Sequence, residues 1–214
     1  LSNKTISYVV TARVTAYPVV ENTKVTEAMY LYWTGGSFVL KARYEDGSDN
    51  DYFLTSQTTF EQGIWYHVAY VRAASGEQKL YINGKQEASS PSDPAPSSLA
   101  GMTCVGSTGA GTSAASSVHG LLDELRVSNI ERYSGDFIPA RRFTSDGNTL
   151  GLWHFDEGTG GTALDAGPSG HDLIFKDNAD WAPDDCYGTS PDAAICGDGQ
   201  QAAWEECDDG NEED

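Results

Sequence analysis

The sequence predicts an all-β chain folded as an antiparallel β-sandwich, and three observations lead there. Apolar and polar residues alternate with a period of two through most of the chain, turn dipeptides punctuate the runs, and no stretch has the spacing of an amphipathic helix. The 214 residues include 23 Gly, together with many Ser and Thr, a composition suited to many turns.

The strands follow in order. In ISYVVTARVTA, Ile6, Tyr8, Val10, Ala12 and Val14 share one face, and Ser7, Thr11, Arg13 and Thr15 the other. MYLYWTGGSFVLKARY reads as two strands joined at Gly35-Gly36, and YEDGSDNDYFLT turns through a polar loop into a further strand. In GIWYHVAYVRAASGEQKLYINGKQ, Trp65, His67, Ala69 and Val71 alternate with Tyr66, Val68, Tyr70 and Arg72. Leu80 and Ile82 then alternate with Lys79, Tyr81 and Asn83, and Asn83-Gly84 supplies a type I′-compatible turn, so this stretch predicts a β-meander. Residues 87–117, rich in Ala, Ser, Pro and Gly, predict long loops around one short strand near Met102 to Val105. HGLLDELRV and NTLGLWHFDE read as strands, with a helical turn predicted between them before Pro139.

Charge and length narrow the function. With 13 Lys and Arg against 32 Asp and Glu, the net charge is −19, which disfavours nucleic acid and anionic membranes as partners and is compatible with divalent cations. No run approaches the length of apolar sequence that spans a bilayer, so no membrane insertion is expected. The first residue is Leu1, which points to a processed or excised piece of a larger multidomain chain. Cys104, Cys186, Cys196 and Cys207 allow three pairings. Pairing Cys196 with Cys207 and Cys104 with Cys186 is the expectation, in an oxidising, secreted or cell-surface setting; a structural zinc site is the competitor.

Three motifs carry a family resemblance. The series Trp65, His67, Val68, Ala69, Val71 and Arg72, then Gly76, Leu80, Tyr81, Asn83 and Gly84, resembles the W-x-H-V-A-x-V…L-Y-x-N-G core of laminin-G-like, concanavalin A-like jelly-roll domains. GLLDELRVSNIERYSGDF resembles the G-x-I-D-E-V-R-I segment of that family, and LWHFDEGTGGTALDAGPSGHDLIF resembles a W-x-F-D-E-G-S-G motif of its bacterial members. That third motif opens the domain in most relatives and closes it here. Either an equivalent opening strand was trimmed or the segment supplies that strand from the C-terminal end. Residues 1–185 are thus read as a concanavalin A-like jelly-roll domain. Residues 186–214 are read as an acidic Cys-rich fragment, in which CGDGQQAAWEECDDGN resembles a repeat of myxobacterial surface proteins and pappalysins.

The resemblance implies calcium in some relatives. Asp123, which alternation places on the face of Leu121, Leu125 and Val127, is with Asp156 and Asp165 the candidate ligand set. Asp46, Asp49 and Asp51 are alternatives, and carboxylates that hold loops by hydrogen bonds are the competing reading. His67, on the face of Trp65, reads as a core imidazole bonded to a neighbour. Catalysis is not expected. LLDELR lacks the E-x-D-x-x-E spacing of laminarinase-type glycosidases, Asp123 and Glu124 point to opposite faces of a strand, and neither H-E-x-x-H nor G-x-S-x-G occurs. Among 11 Tyr and 5 Trp, the alternating Tyr30 and Tyr32 can belong to a core, a sheet face or a sugar platform. The expected function is non-catalytic recognition of carbohydrate or extracellular protein. The alternative is a structural spacer or accessory domain of a larger extracellular protease or hydrolase.

Overall fold

A computed structural model describes residues 6–16, 27–45, 50–91, 105–106, 118–176 and 179–182. All four Cys and residues 186–214 lie outside these, as do Asp46, Asp49 and most of the loop that precedes residue 118. Among the described residues no helix is long and apolar enough to cross a membrane.

Eleven strands are described: β1 (Ile6–Ala16), β2 (Glu27–Trp33), β3 (Phe38–Glu45), β4 (Asp51–Phe60), β5 (Trp65–Arg72), β6 (Gln78–Ile82), β7 (Lys85–Ser90), β8 (His119–Ser128), β9 (Thr149–Trp153), β10 (Thr162–Ala163) and β11 (Leu173–Ile174). They form a six-stranded sheet in the order β7-β6-β5-β1-β8-β9, a three-stranded sheet β2-β3-β4 and a two-stranded sheet β10-β11, antiparallel throughout. The architecture is the antiparallel β-sandwich that alternation and turns predict, of the jelly-roll kind that the resemblance implies.

The turn chemistry accounts for the meander. Asn83 (φ 48°) and Gly84 (φ 75°) are both left-handed, as a type I′ turn between β6 and β7 requires. The Asn83 side chain also accepts from the His67 amide at 2.9 Å, while its own amide donates to the His67 carbonyl, extending the β5–β6 ladder. Between β2 and β3, the Thr34 amide donates to Ser37 and Gly35 takes φ 89°. Strand β7 begins at Lys85, so the opening residues of the stretch read as loop are ladder. The helical turn before Pro139 is absent: residues 131–140 run as irregular chain and bends.

Three pieces of chain cover the large sheet. On one face Tyr66, Val68, Tyr70, Leu80 and Ile82 pack against Leu31, Phe38, Leu40, Ala42, Leu54 and Phe60 of the small sheet. On the β8–β9 side Leu125, Val127 and Trp153 pack with Ala163, Leu173, Phe175 and Trp181 beneath the β10-β11 hairpin. The opposite face is covered by the connection from Asn129 to Asn148, which lays Tyr133, Phe137 and Phe143 over Val9, Ala69, Val71, Tyr81 and Leu152. Polar clasps hold this strap: the Ser7 hydroxyl donates to Ile130 and accepts from Arg132, Lys79 pairs with Glu131 at 2.7 Å, and Arg132 holds Asp146 in a two-pronged pair. That pairing keeps the Asp146 carboxyl well below the usual carboxylate range.

The third motif begins on β9. Strand β9 pairs with β8 at the margin of the sheet that holds β1. Its outer backbone is closed by the following loop, where the Leu152 amide donates to Asp165 and the Leu152 carbonyl accepts from Ala166.

His67 sits on the strap face, 2% exposed, in a box of Tyr133, Phe137 and Phe143 edges at 5.4 to 6.3 Å. It is a core imidazole, but the expected neighbour bond is missing: neither ring nitrogen finds a partner of ordinary geometry among the described residues. Burial pushes its pKa down to about 4, with its own backbone pulling partly upward and the Arg126 guanidinium adding to the fall. The folded value thus lies below the unfolded one, so stability is complete above the unfolded pKa and is lost as pH falls from 6.5 toward 4. Between pH 7 and 4.5 that loss is on the order of 2–3 kcal/mol. Urea unfolding of His67→Leu at both pH values is expected to show a pH difference smaller by that amount than the parent chain.

Candidate functional site

The outward face of β2-β3-β4 carries the most unusual exposed surface among the described residues. Strand alternation turns Met29, Leu31, Leu40, Ala42 and Leu54 inward and Tyr30, Tyr32, Lys41, Arg43 and Phe53 outward. Register then sets the neighbours. Lys41 stands opposite Tyr30 on β2 and Thr55 on β4, which puts Tyr32 and Phe53 on its diagonals. Tyr32 is 40% and Phe53 46% exposed. The Lys41 Nζ lies 3.7 Å from the centre of the Tyr32 ring and 5.1 Å from that of Phe53. Beside them Arg43 is buried and pairs with Asp51 at 2.5 Å. Burial, more than the surrounding charges, raises the Tyr30 phenol pKa. Two flat rings flanking a cation can stack on the C–H faces of a ligand and bind a polar substituent at once. Trp33, at the end of β2, turns away from this face and leans on Phe38 with ring centres 4.9 Å apart.

The acidic candidates occupy other places. Asp165 lies in the loop that closes β9: its Oδ1 accepts from the amides of Leu152 and Gly167, and its Oδ2 from that of His171. Burial pushes its pKa up, but the amides of Leu152, His171 and Gly167 more than offset this, and it ends below the ordinary value. Asp156 pairs with Arg142 at 2.7 Å. Asp123 is half-buried and accepts from the Glu124 amide at 2.8 Å. Asp51 is held by Arg43. No group of three or more His, Cys, Asp or Glu among the described residues is placed to hold a metal ion. Asp123, Asp156 and Asp165 are thus not gathered into one cluster among the described residues: one oxygen of Asp123 accepts from an amide, one of Asp156 meets a guanidinium, and both of Asp165 accept from amides. Asp165 follows the loop-holding alternative instead.

The buried carboxylate of this region is Glu124, 2% exposed, and not Asp123. Alternation places Glu124 on the face opposite Leu125 and Val127, and the strap covers that face. Its Oε2 accepts from the Phe143 amide at 2.7 Å, its Oε1 meets Nδ1 of His154 at 2.6 Å, and Arg142 stands 3.6 Å away. Glu124 is left-handed (φ 51°) where the β1–β8 register shifts between Val9 and Thr11. Both of its oxygens are spent on structure. Of the residues on the aromatic face, alternation had drawn out only Tyr30 and Tyr32. Lys41 and Phe53 become neighbours through the bulged β3–β4 register, which no single strand displays.

The fold is an antiparallel jelly-roll β-sandwich. The chain belongs to the Concanavalin A-like lectin/glucanases superfamily, whose family model matches residues 5–136. Among solved structures, a candidate carbohydrate binding protein from Bacteroides ovatus aligns with a TM-score of 0.53 at 15% identity over 85% of this chain, which spans 56% of that structure. A heptameric SAP-like pentraxin from Limulus polyphemus aligns with a TM-score of 0.43 at 16% identity, over 62% of this chain and 67% of that one. No curated protein matches the sequence.

Proposed function

We propose that this domain is a non-catalytic carbohydrate-recognition module of a secreted or cell-surface protein, and that it binds through the outward face of β2-β3-β4. The observation that carries the reading is the pair of exposed rings, Tyr32 and Phe53, set on one sheet face around Lys41. Soluble domains seldom leave such rings grouped in water without a partner. The fold supports the same reading, since the superfamily is one of lectins and glucanases and the Bacteroides ovatus protein is a candidate carbohydrate binder. The commitment of Glu124 and Asp165 to backbone amides favours recognition over hydrolysis. The resemblance of residues 196–211 to a Cys-rich surface-protein repeat fits a larger extracellular parent chain.

Binding to a panel of polysaccharides, measured by affinity electrophoresis and calorimetry, tests this. Tyr32→Ala and Phe53→Ala are each expected to weaken the best ligand about tenfold or more, as loss of an anchoring ring does. Trp33→Ala, off this face, is expected to leave affinity unchanged. Uniform silence across the panel would favour the spacer reading, and equal binding by all variants would place the ligand away from this face.

A further inference from the structure

The cation on the aromatic face selects among sugars, an inference that rests on the carbohydrate reading above. The chain carries a net charge of −19, and several of its described cations are tied to carboxylates: Arg43 to Asp51, Lys79 to Glu131, Lys85 to Asp136, Arg132 to Asp146 and Arg142 to Asp156. Lys41 makes no ion pair among the described residues. Its ammonium rests on the faces of Tyr32 and Phe53, an attraction weaker than a charge-assisted hydrogen bond to a carboxylate.

The same geometry works against a neutral sugar. With Nζ 3.7 Å from the ring centre, the ammonium occupies the Tyr32 face that sugar C–H groups would cover. A neutral ring has to displace it and offers the charge nothing stronger in return. A sugar carrying a carboxylate leaves the ammonium in place, pairs with it, and lays its ring against exposed Phe53. The net charge of the protein sets the other bound. It repels densely charged polyanions at distances up to about 10 Å at ordinary salt, and one cation on the face matches one anionic group.

We propose that the face recognises a uronic acid residue within a sparsely charged polysaccharide, with Lys41, seated on the Tyr32 ring, taking the carboxylate and Phe53 taking the sugar ring. The test is calorimetric titration of the full chain with uronate oligomers, the matched neutral oligomers and a heavily sulfated oligomer, alongside Lys41→Gln and Lys41→Arg. The best uronate oligomer is expected to bind about tenfold or more tighter than its neutral counterpart. That advantage is expected to shrink as salt is raised toward about 1 M, to vanish in Lys41→Gln and to persist in Lys41→Arg. An unchanged melting temperature of Lys41→Gln, whose side chain lies on the surface of a formed sheet, shows that its loss is one of recognition. Equal affinity for neutral and acidic oligomers, an acidic preference intact in Lys41→Gln, or a sulfated oligomer bound as tightly as the uronate would each overturn the assignment while leaving carbohydrate binding standing. Absence of binding to all three classes sinks both readings.

Discussion

Replacing Gly84 by Ala is expected to cost about 3–4 kcal/mol and to lower the melting temperature by about 10 °C. Two separate physical costs meet there. Gly84 adopts φ 75°, a left-handed conformation that disfavours any side chain by about 1–2 kcal/mol. A Cβ at this position would also run into the Phe137 carbonyl, with Pro139 close behind. Relief requires lifting the strap, which breaks the 2.9 Å bond from the Phe137 amide to the Gly84 carbonyl and loosens the rings packed over His67. Two other glycines separate the costs. Gly35, at φ 89° with open space around it, is expected to show the conformational cost alone on change to Ala, and Gly36, open and without a left-handed φ, almost none. Thermal melts of the three variants check the order; equal losses at Gly35 and Gly84 would show that the strap yields without cost.

At Glu124 the expected ranking inverts the usual behaviour of a strand. Glu124→Ala is expected to lose about 3 kcal/mol, because it leaves the Phe143 amide buried without an acceptor and removes a charge-assisted bond to His154. Glu124→Gly makes the same deletion yet is expected to be about 1 kcal/mol less damaging, since φ 51° is free to glycine and strained for alanine. Glu124→Gln keeps an acceptor for Phe143 and is expected to be the mildest. Urea denaturation of the three variants measures the order. Alanine more stable than glycine would mean that the left-handed residue relaxes once its carboxylate is gone.

Local patterns foretold the sandwich because its strands are written in short-range terms. Alternation marked β1 through β6, and Asn83-Gly84 and Gly35-Gly36 marked their turns. The strap was not foretold, because residues 129–148 have no period; they are held by contacts such as Ser7 to Ile130, which join distant parts of the chain. That gap also bears on Asp123 and Glu124. Alternation sorts residues onto two faces without saying which face is wet, and here the strap makes both dry, so the buried carboxylate is Glu124. The aromatic face was half legible for a related reason: Tyr30 and Tyr32 share one strand, whereas Lys41 and Phe53 join them through register.

The strap also decides where the folding unit ends. The family match stops at residue 136, but Phe143, Leu152, Trp153 and Ala163, all buried, come after it. A chain cut at Asp136 would keep the first motif and nearly all of the second, but lose the third, the Phe137 and Phe143 rings over His67, the amide that satisfies Glu124 and the partner of β8. Strand β8 would then present an unpaired margin, a template for association with other chains. The packing of this domain thus continues past the stretch its family likeness marks out, through the β10-β11 hairpin to Phe175 and Trp181.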